Sequence, residues 1–109
     1  MSSETRRITF SNEELIQAIA KQRRDEKQGL PESRIRGVKI EKGAETKILI
    51  VLAAAEGTGT ETIEIRLAEI AAALIKFCGR KRIPLPKRAN KSIGVENGQV
   101  SLMLHLSAH

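Results

Sequence analysis

Apolar and polar positions follow one another along this chain in two recognisable periods. RRITF alternates at Arg6–Phe10, with Ile8 and Phe10 on one face, which predicts a short strand. Before it, Met1–Thr5 is polar and is expected to fray. Ser11-Asn12-Glu13-Glu14 has the S-x-x-E spacing of a capping box, in which the Ser11 hydroxyl and the Glu14 carboxylate each take one free amide. Leu15, Ile16, Ile19 and Ala20 then share one face of a helix. The helix continues through the mixed charges KQRRDEKQ and is expected to stop at Gly29, with Pro31 just beyond.

Val38 and Ile40 predict a strand over Ile35–Glu41, and Lys42-Gly43 a hairpin turn. The next strand, Thr46–Ala54 (TKILIVLAA), is apolar on both faces and is expected to be covered on both sides. Gly57-Thr58-Gly59-Thr60 is a flexible joint. Ile63 and Ile65 alternate again. A second helix begins near Arg66 to Ala68, with Leu67, Ile70, Ala71, Leu74, Ile75 and Cys78 as its buried face and Gly79 as its end. Pro84 and Pro86 forbid further regular helix. Ser92–Glu96 and Gln99–Leu106 form a hairpin about Asn97-Gly98, a strong turn signal.

The order strand, helix, strand, turn, strand therefore occurs twice. Shifting the chain by 55 positions aligns 54 residues without a gap and gives eleven identities: Thr5/Thr60, Ile8/Ile63, Glu14/Glu69, Ala18/Ala73, Lys21/Lys76, Leu30/Leu85, Pro31/Pro86, Glu41/Glu96, Gly43/Gly98, Leu49/Leu104 and Ala53/Ala108. Average composition would give roughly three or four. The expected fold class is α+β: a two-layer sandwich built by internal tandem duplication of a βαββ unit, with a pseudo-two-fold axis, a mostly antiparallel sheet and two helices. In this reading residues 1–109 are one domain, 6–54 the first repeat, 55–60 the joint and 61–107 the second repeat. Thr46–Ala54 is expected at the centre of the sheet or in a dimer interface. Gln99–Leu106 is expected nearer the periphery, with Val100, Leu102, Leu104 and Leu106 inward and Ser101, His105 and Ser107 outward.

Composition adds the compartment and the partner. The chain is 40% hydrophobic and 29% charged, which suits one globular domain. Its longest apolar run, Ile48–Ala55, is far below the roughly 18 residues that span a bilayer. MSSETRR has no apolar stretch of a secretory leader, and the single Cys78 excludes an internal disulfide. A reduced, cytoplasmic protein without membrane contact is expected. The net charge of +6 points to polyanions, nucleic acid first. Phe10 and Phe77 are the only aromatic residues, which weighs against single-strand binding by base stacking.

The candidate chemistry is one-sided. From Ile70 to Val95 there is no acid and there are seven bases: Lys76, Arg80, Lys81, Arg82, Lys87, Arg88 and Lys91. Such a run suits phosphate contact and counterion release. The bland alternative is a solvated face whose bases offset the helix dipole. Arg23, Arg24 and Lys27 stand in the comparable place of the first repeat, diluted by Asp25 and Glu26. If both sets act, two basic lobes would face a duplex of DNA or structured RNA. Glu14 and Glu69 are better explained as helix-start acids than as an acid–base pair, and Cys78 as a small core residue than as a nucleophile. His105 and His109 have no acid cluster that would make a metal site. Gly57-Thr58-Gly59 lacks the lysine and spacing of a phosphate loop. No cofactor and no enzymatic activity are expected. The leading expectation is a nucleic-acid-binding protein using Arg80–Lys91. The alternative is a homodimer or protein-interaction module using the apolar strand 46–54.

Overall fold

Two helices and two three-stranded antiparallel sheets make up the chain, an α+β protein. The computed structural model describes residues 3–30 and 32–107; Pro31 and His109, and the side chain of Ser107, lie outside the described set. The elements are β1 (Ser3–Thr9), α1 (Asn12–Asp25), a single 3-10 turn (Glu32–Arg34), β2 (Ile35–Glu41), β3 (Lys47–Ala53), β4 (Thr60–Ile65), α2 (Leu67–Arg80), β5 (Asn90–Glu96) and β6 (Gln99–Ser107). The N-terminal residues expected to fray are in part ordered, because Ser3–Thr5 pair with His105–Ser107.

The sheets are not built from the two halves in turn. One has the order β1-β6-β5 and the other β2-β3-β4. Each joins the hairpin of one half to the first strand of the other. Both β3 and β6 are therefore central strands, and the peripheral place expected for Gln99–Leu106 is corrected. The joint between halves is a hairpin loop: Ala53 pairs with Thr60, and the Ala54 amide donates to the Gly59 carbonyl.

Burial follows the pleat. Ile48, Ile50 and Leu52 of β3 are buried, as are Val100, Leu102 and Leu104 of β6. The expectation that β3 is covered on both faces holds for one face only, since Leu49, Val51 and Ala53 are half-buried. Leu106 is half-buried and His105 exposed. Ser101 points away from the apolar face yet is only 1% exposed. Its hydroxyl shares a 3.0 Å hydrogen bond with Thr9, so its burial leaves no orphaned polar group. One core cluster links both helices and both sheets, from Phe10, Leu15 and Ile19 to Leu74, Phe77 and Cys78. The molecule is long, 59 × 30 × 18 Å, with a radius of gyration of 15.2 Å, against about 13 Å for a round domain of this length.

Both helices end differently from the glycine expectation. Helix α1 stops at Asp25, and α2 passes through Gly79 to Arg80. In each, the stop is a left-handed residue that is not glycine: Lys27 at φ 58° and Arg82 at φ 58°. The Gln28 amide donates to the Arg23 carbonyl and the Ile83 amide to the Cys78 carbonyl, both at 2.8 Å. These bonds close a Schellman motif at the same point of each helix. The left-handed region costs a side chain about 1–2 kcal/mol, and the looser unfolded chain of a glycine returns about 0.5–1 of that. Lys27→Gly is expected to stabilise the protein by about 0.5–1 kcal/mol in urea unfolding, and Arg82→Gly likewise.

The buried face of α2 is Ile70, Ala73, Leu74, Phe77 and Cys78. Leu67, expected inside, is 40% exposed, and Ala71 and Ile75 are half-buried. The stripe is thus rotated from the expected one toward Ala73 and Phe77. In α1, Leu15, Ala18, Ile19 and Ala20 are buried with Gln22, and Ile16 is half-buried.

The 55-residue spacing is kept by the helices and by β2 and β5, and is lost at the last strand of each half. Glu41 pairs with Lys47 across a five-residue loop, whereas Glu96 pairs with Gln99 across the two-residue turn Asn97-Gly98. Both turn residues have positive φ, as this tight hairpin requires. The first loop is three residues longer, so β3 matches β6 at a spacing of 52. At that spacing Ile48, Ile50 and Leu52 fall on Val100, Leu102 and Leu104, all of them buried. The ungapped register through both turns is corrected: Leu49 is half-buried on the outer face of β3, whereas Leu104 is buried in β6.

Candidate nucleic-acid interface

The acid-free run begins within α2, where Lys76 is its first base, and continues through the loop into β5. Lys76 and Arg80 are one turn apart on an exposed face, and Lys81 and Arg82 form the helix cap. Arg80 and Lys81 are held against the buried ring of Phe77. The Arg80 guanidinium carbon is 5.9 Å from the ring centroid and the Lys81 ammonium 5.6 Å. That is cation–π distance, so the charges stand over a fixed apolar base. Phe10 meets the same ring edge-on, centroids 5.9 Å apart and planes at 81°.

The loop is pinned from below. Ile83 and Leu85 pack against the core, and Ala89 is buried. The Ala89 amide donates to the Pro86 carbonyl at 3.2 Å. The Lys91 ammonium is half-buried and donates to the Pro86 carbonyl at 3.4 Å and the Ala89 carbonyl at 3.2 Å. Lys91 thereby closes the loop and is less free for an outside anion than its neighbours. Arg82, Lys87 and Arg88 are exposed.

Ion pairing is uneven along the chain. Among the described residues, carboxylates lie within ion-pair distance of Arg6, Arg7, Lys21, Arg23, Arg24, Arg34, Lys39 and Lys47. Among the described residues none of the seven bases from Lys76 to Lys91 has such a partner, and Lys27, Arg36, Lys42 and Arg66 are the scattered others without one. The comparable bases of the first half are engaged. Arg23 forms a bidentate pair with Glu69, 2.8 and 3.2 Å, at half-buried positions between the helices. Arg24 is held by Glu32. Only Lys27 of that group stands without a carboxylate. Arg23 and Arg24 are thus engaged with carboxylates, unlike Arg80, Lys81 and Arg82.

The Asp25 carboxyl is held below its ordinary range. The hydrogen bond from Lys21 is the main cause; desolvation opposes it, and the charges of Lys21, Lys76 and Arg80 add to the lowering. The field of the second basic segment thus reaches the end of α1.

The remaining candidates are structural. Ser11 and Glu14 form the capping box: the Glu14 amide donates to the Ser11 hydroxyl at 3.1 Å, and the Ser11 amide to the Glu14 carboxylate at 2.9 Å. Glu69 serves Arg23 instead of its own helix, and α2 has no side-chain cap. Cys78 is fully buried, and desolvation, with Glu14 second, pushes its thiol above the ordinary range. It stays protonated at neutral pH, the opposite of an activated nucleophile. His105 accepts or donates a 3.0 Å bond with Thr5 on the outer face of the first sheet.

A groove of about 420 Å3 lies elsewhere, where Lys47, Glu64, Arg66 and Leu67 approach Ile93 and Val95. Its charges are mixed in sign. No helix of the described residues is long and apolar enough to cross a membrane. The fold is that of a small α+β protein, with a basic segment whose seven bases have no carboxylate within ion-pair distance among the described residues. Compared with protein-family models, curated proteins and solved structures, the chain has no significant match.

Proposed function

We propose that the protein is a non-enzymatic binding protein that contacts nucleic-acid phosphates through Arg80–Lys91. The observation that carries this reading is the set of bases without carboxylate partners on a loop that the core holds in place. An array of this kind gives affinity by neutralising phosphates and releasing counterions, independent of base sequence. The left-handed Arg82 and the pinned Ile83 and Ala89 limit the ordering entropy that binding would otherwise cost. The dipole of α2 has its negative end here and opposes an anion by about half a charge, which five exposed bases outweigh.

Arg80→Ala/Lys81→Ala/Arg82→Ala is expected to weaken DNA or RNA binding by tenfold or more with an unchanged circular dichroism spectrum. Wild-type affinity should fall steeply with salt in a fluorescence-anisotropy titration. Binding that is undetectable at low salt, or insensitive to salt, would remove the proposal. Arg82→Gly separates two effects: the protein becomes more stable while its affinity drops.

We also infer that the fold arose by duplication of a βαββ unit. Supporting it are the shared spacing of 55 through both helices, the two Schellman motifs at matched positions, and the matched burial of β3 and β6. For the alternative of a partner docking on strand 46–54, the geometry is less favourable. The β3 backbone is paired on both edges, so a partner would meet only the half-buried side chains of Leu49, Val51 and Ala53.

A further inference from the structure

We infer that the nucleic acid taken by Arg80–Lys91 is a duplex, in preference to a single strand; this rests on the phosphate-binding reading above. Single strands are held by stacking bases on exposed aromatic rings, each base contributing about 1–3 kcal/mol. Phe10 and Phe77 are the chain's only aromatic residues, and they are 2% and 3% exposed. Neither presents a face to a base, because the Phe77 ring is occupied by Phe10 on one side and overlaid by Arg80 and Lys81. What the surface offers is charge alone.

The backbone that carries the charges is also fixed. The Arg82 backbone is set by its left-handed conformation and by the hydrogen bond its amide donates to the Gly79 carbonyl, 3.2 Å. Lys87 and Arg88 sit in the turn closed by Ala89 and clasped by Lys91. Bases on a held backbone gain most from a target whose phosphates are themselves rigid and dense. A duplex carries one charge per about 1.7 Å of axis, roughly twice the density along a single strand. Within the same footprint, more phosphates meet these bases on a duplex. A flexible strand would have to be ordered against the array with no stacking to offset that cost.

The test is fluorescence anisotropy at low salt with a labelled duplex and with each of its separated strands at equal phosphate concentration. The duplex is expected to bind about tenfold tighter or more. Its log–log salt slope should lie near about −4.5, for five contacts at about 0.9 each. Arg82→Ala/Lys87→Ala/Arg88→Ala should lower that slope by about 2.7. A single strand that binds as tightly as the duplex overturns the duplex preference and leaves phosphate contact standing. A slope unmoved in the triple variant overturns the assignment to these bases. Absence of binding by both probes overturns the phosphate reading together with this one.

Discussion

Phe77→Ala is expected to destabilise the protein by about 3–5 kcal/mol. The residue is 3% exposed and carries the edge-to-face contact with Phe10, so truncation removes transfer energy, an aromatic pair and the packing around both. A small domain has about 5–15 kcal/mol in total, so the loss is a large share of it. The midpoint of urea unfolding should fall strongly with little change in slope. The substitution also reaches the surface, because Arg80 and Lys81 lose the ring they stand over. Phe77→Leu separates the two consequences. It keeps most of the volume and should cost less than about 1.5 kcal/mol, yet it removes the π face and should loosen both cations. A Phe77→Ala cost under about 1 kcal/mol would show that the ring is not part of the core.

Phe77 also marks where sequence pattern and structure part. Its apolar neighbours recur at helical spacing, and a stripe beginning at Leu67 fits that spacing well. The stripe chosen by packing begins three residues later, because the first turn of α2 opens to the groove beside Ile93 and leaves Leu67 in solvent. Local signals were legible where they act alone. Ile35–Glu41 is a strand with the expected bounds, the capping box forms, and Asn97-Gly98 turns the last hairpin. Both helix stops were missed because their left-handed residue is a lysine or an arginine, and the chain compensates the strain through paired Schellman bonds. The three extra residues of the first hairpin loop were hidden because Leu49/Leu104 keeps an identity at the 55 spacing beyond the turn. Which strand pairs with which is a long-range choice, and nothing in the periodicity of β1 or β4 names a partner in the other half.

The basic segment was legible as composition, but its distinction from the first half was not. Bases at Arg23 and Arg24 read much like those at Arg80 and Arg82. The difference lies in Glu69 and Glu32, which reach them only in the folded chain. Matched positions make the asymmetry plain. Arg23 and Glu69 pair across the helices, while their counterparts at the 55 spacing are Cys78 and Glu14, a buried thiol and a cap. One half uses the site for an ion pair between helices, the other for apolar packing. Bases without a carboxylate partner are then densest in the segment from Lys76 to Lys91.

Cutting the chain between Glu56 and Gly57 is expected to give two fragments that are each largely unfolded alone and fold together at one to one. Each sheet takes its hairpin from one half and its first strand from the other. In a lone first half, β1 has no β6 to pair with and β3 has one bare edge, so the three-stranded sheet that a buried face requires is missing. Two copies of the first half could exchange strands in the same way, but less well. Phe10 would then face Gln22 where the native core gives it Phe77, and Gln22 already has one buried oxygen without a hydrogen-bond partner. The mixed pair alone restores the Phe10–Phe77 contact and the Arg23–Glu69 bond. Circular dichroism should show a gain of signal on mixing beyond the sum of the fragments, with analytical ultracentrifugation reporting a one-to-one species. If either fragment folds as a monomer with full cooperativity, the exchange of strands is not what holds the fold together.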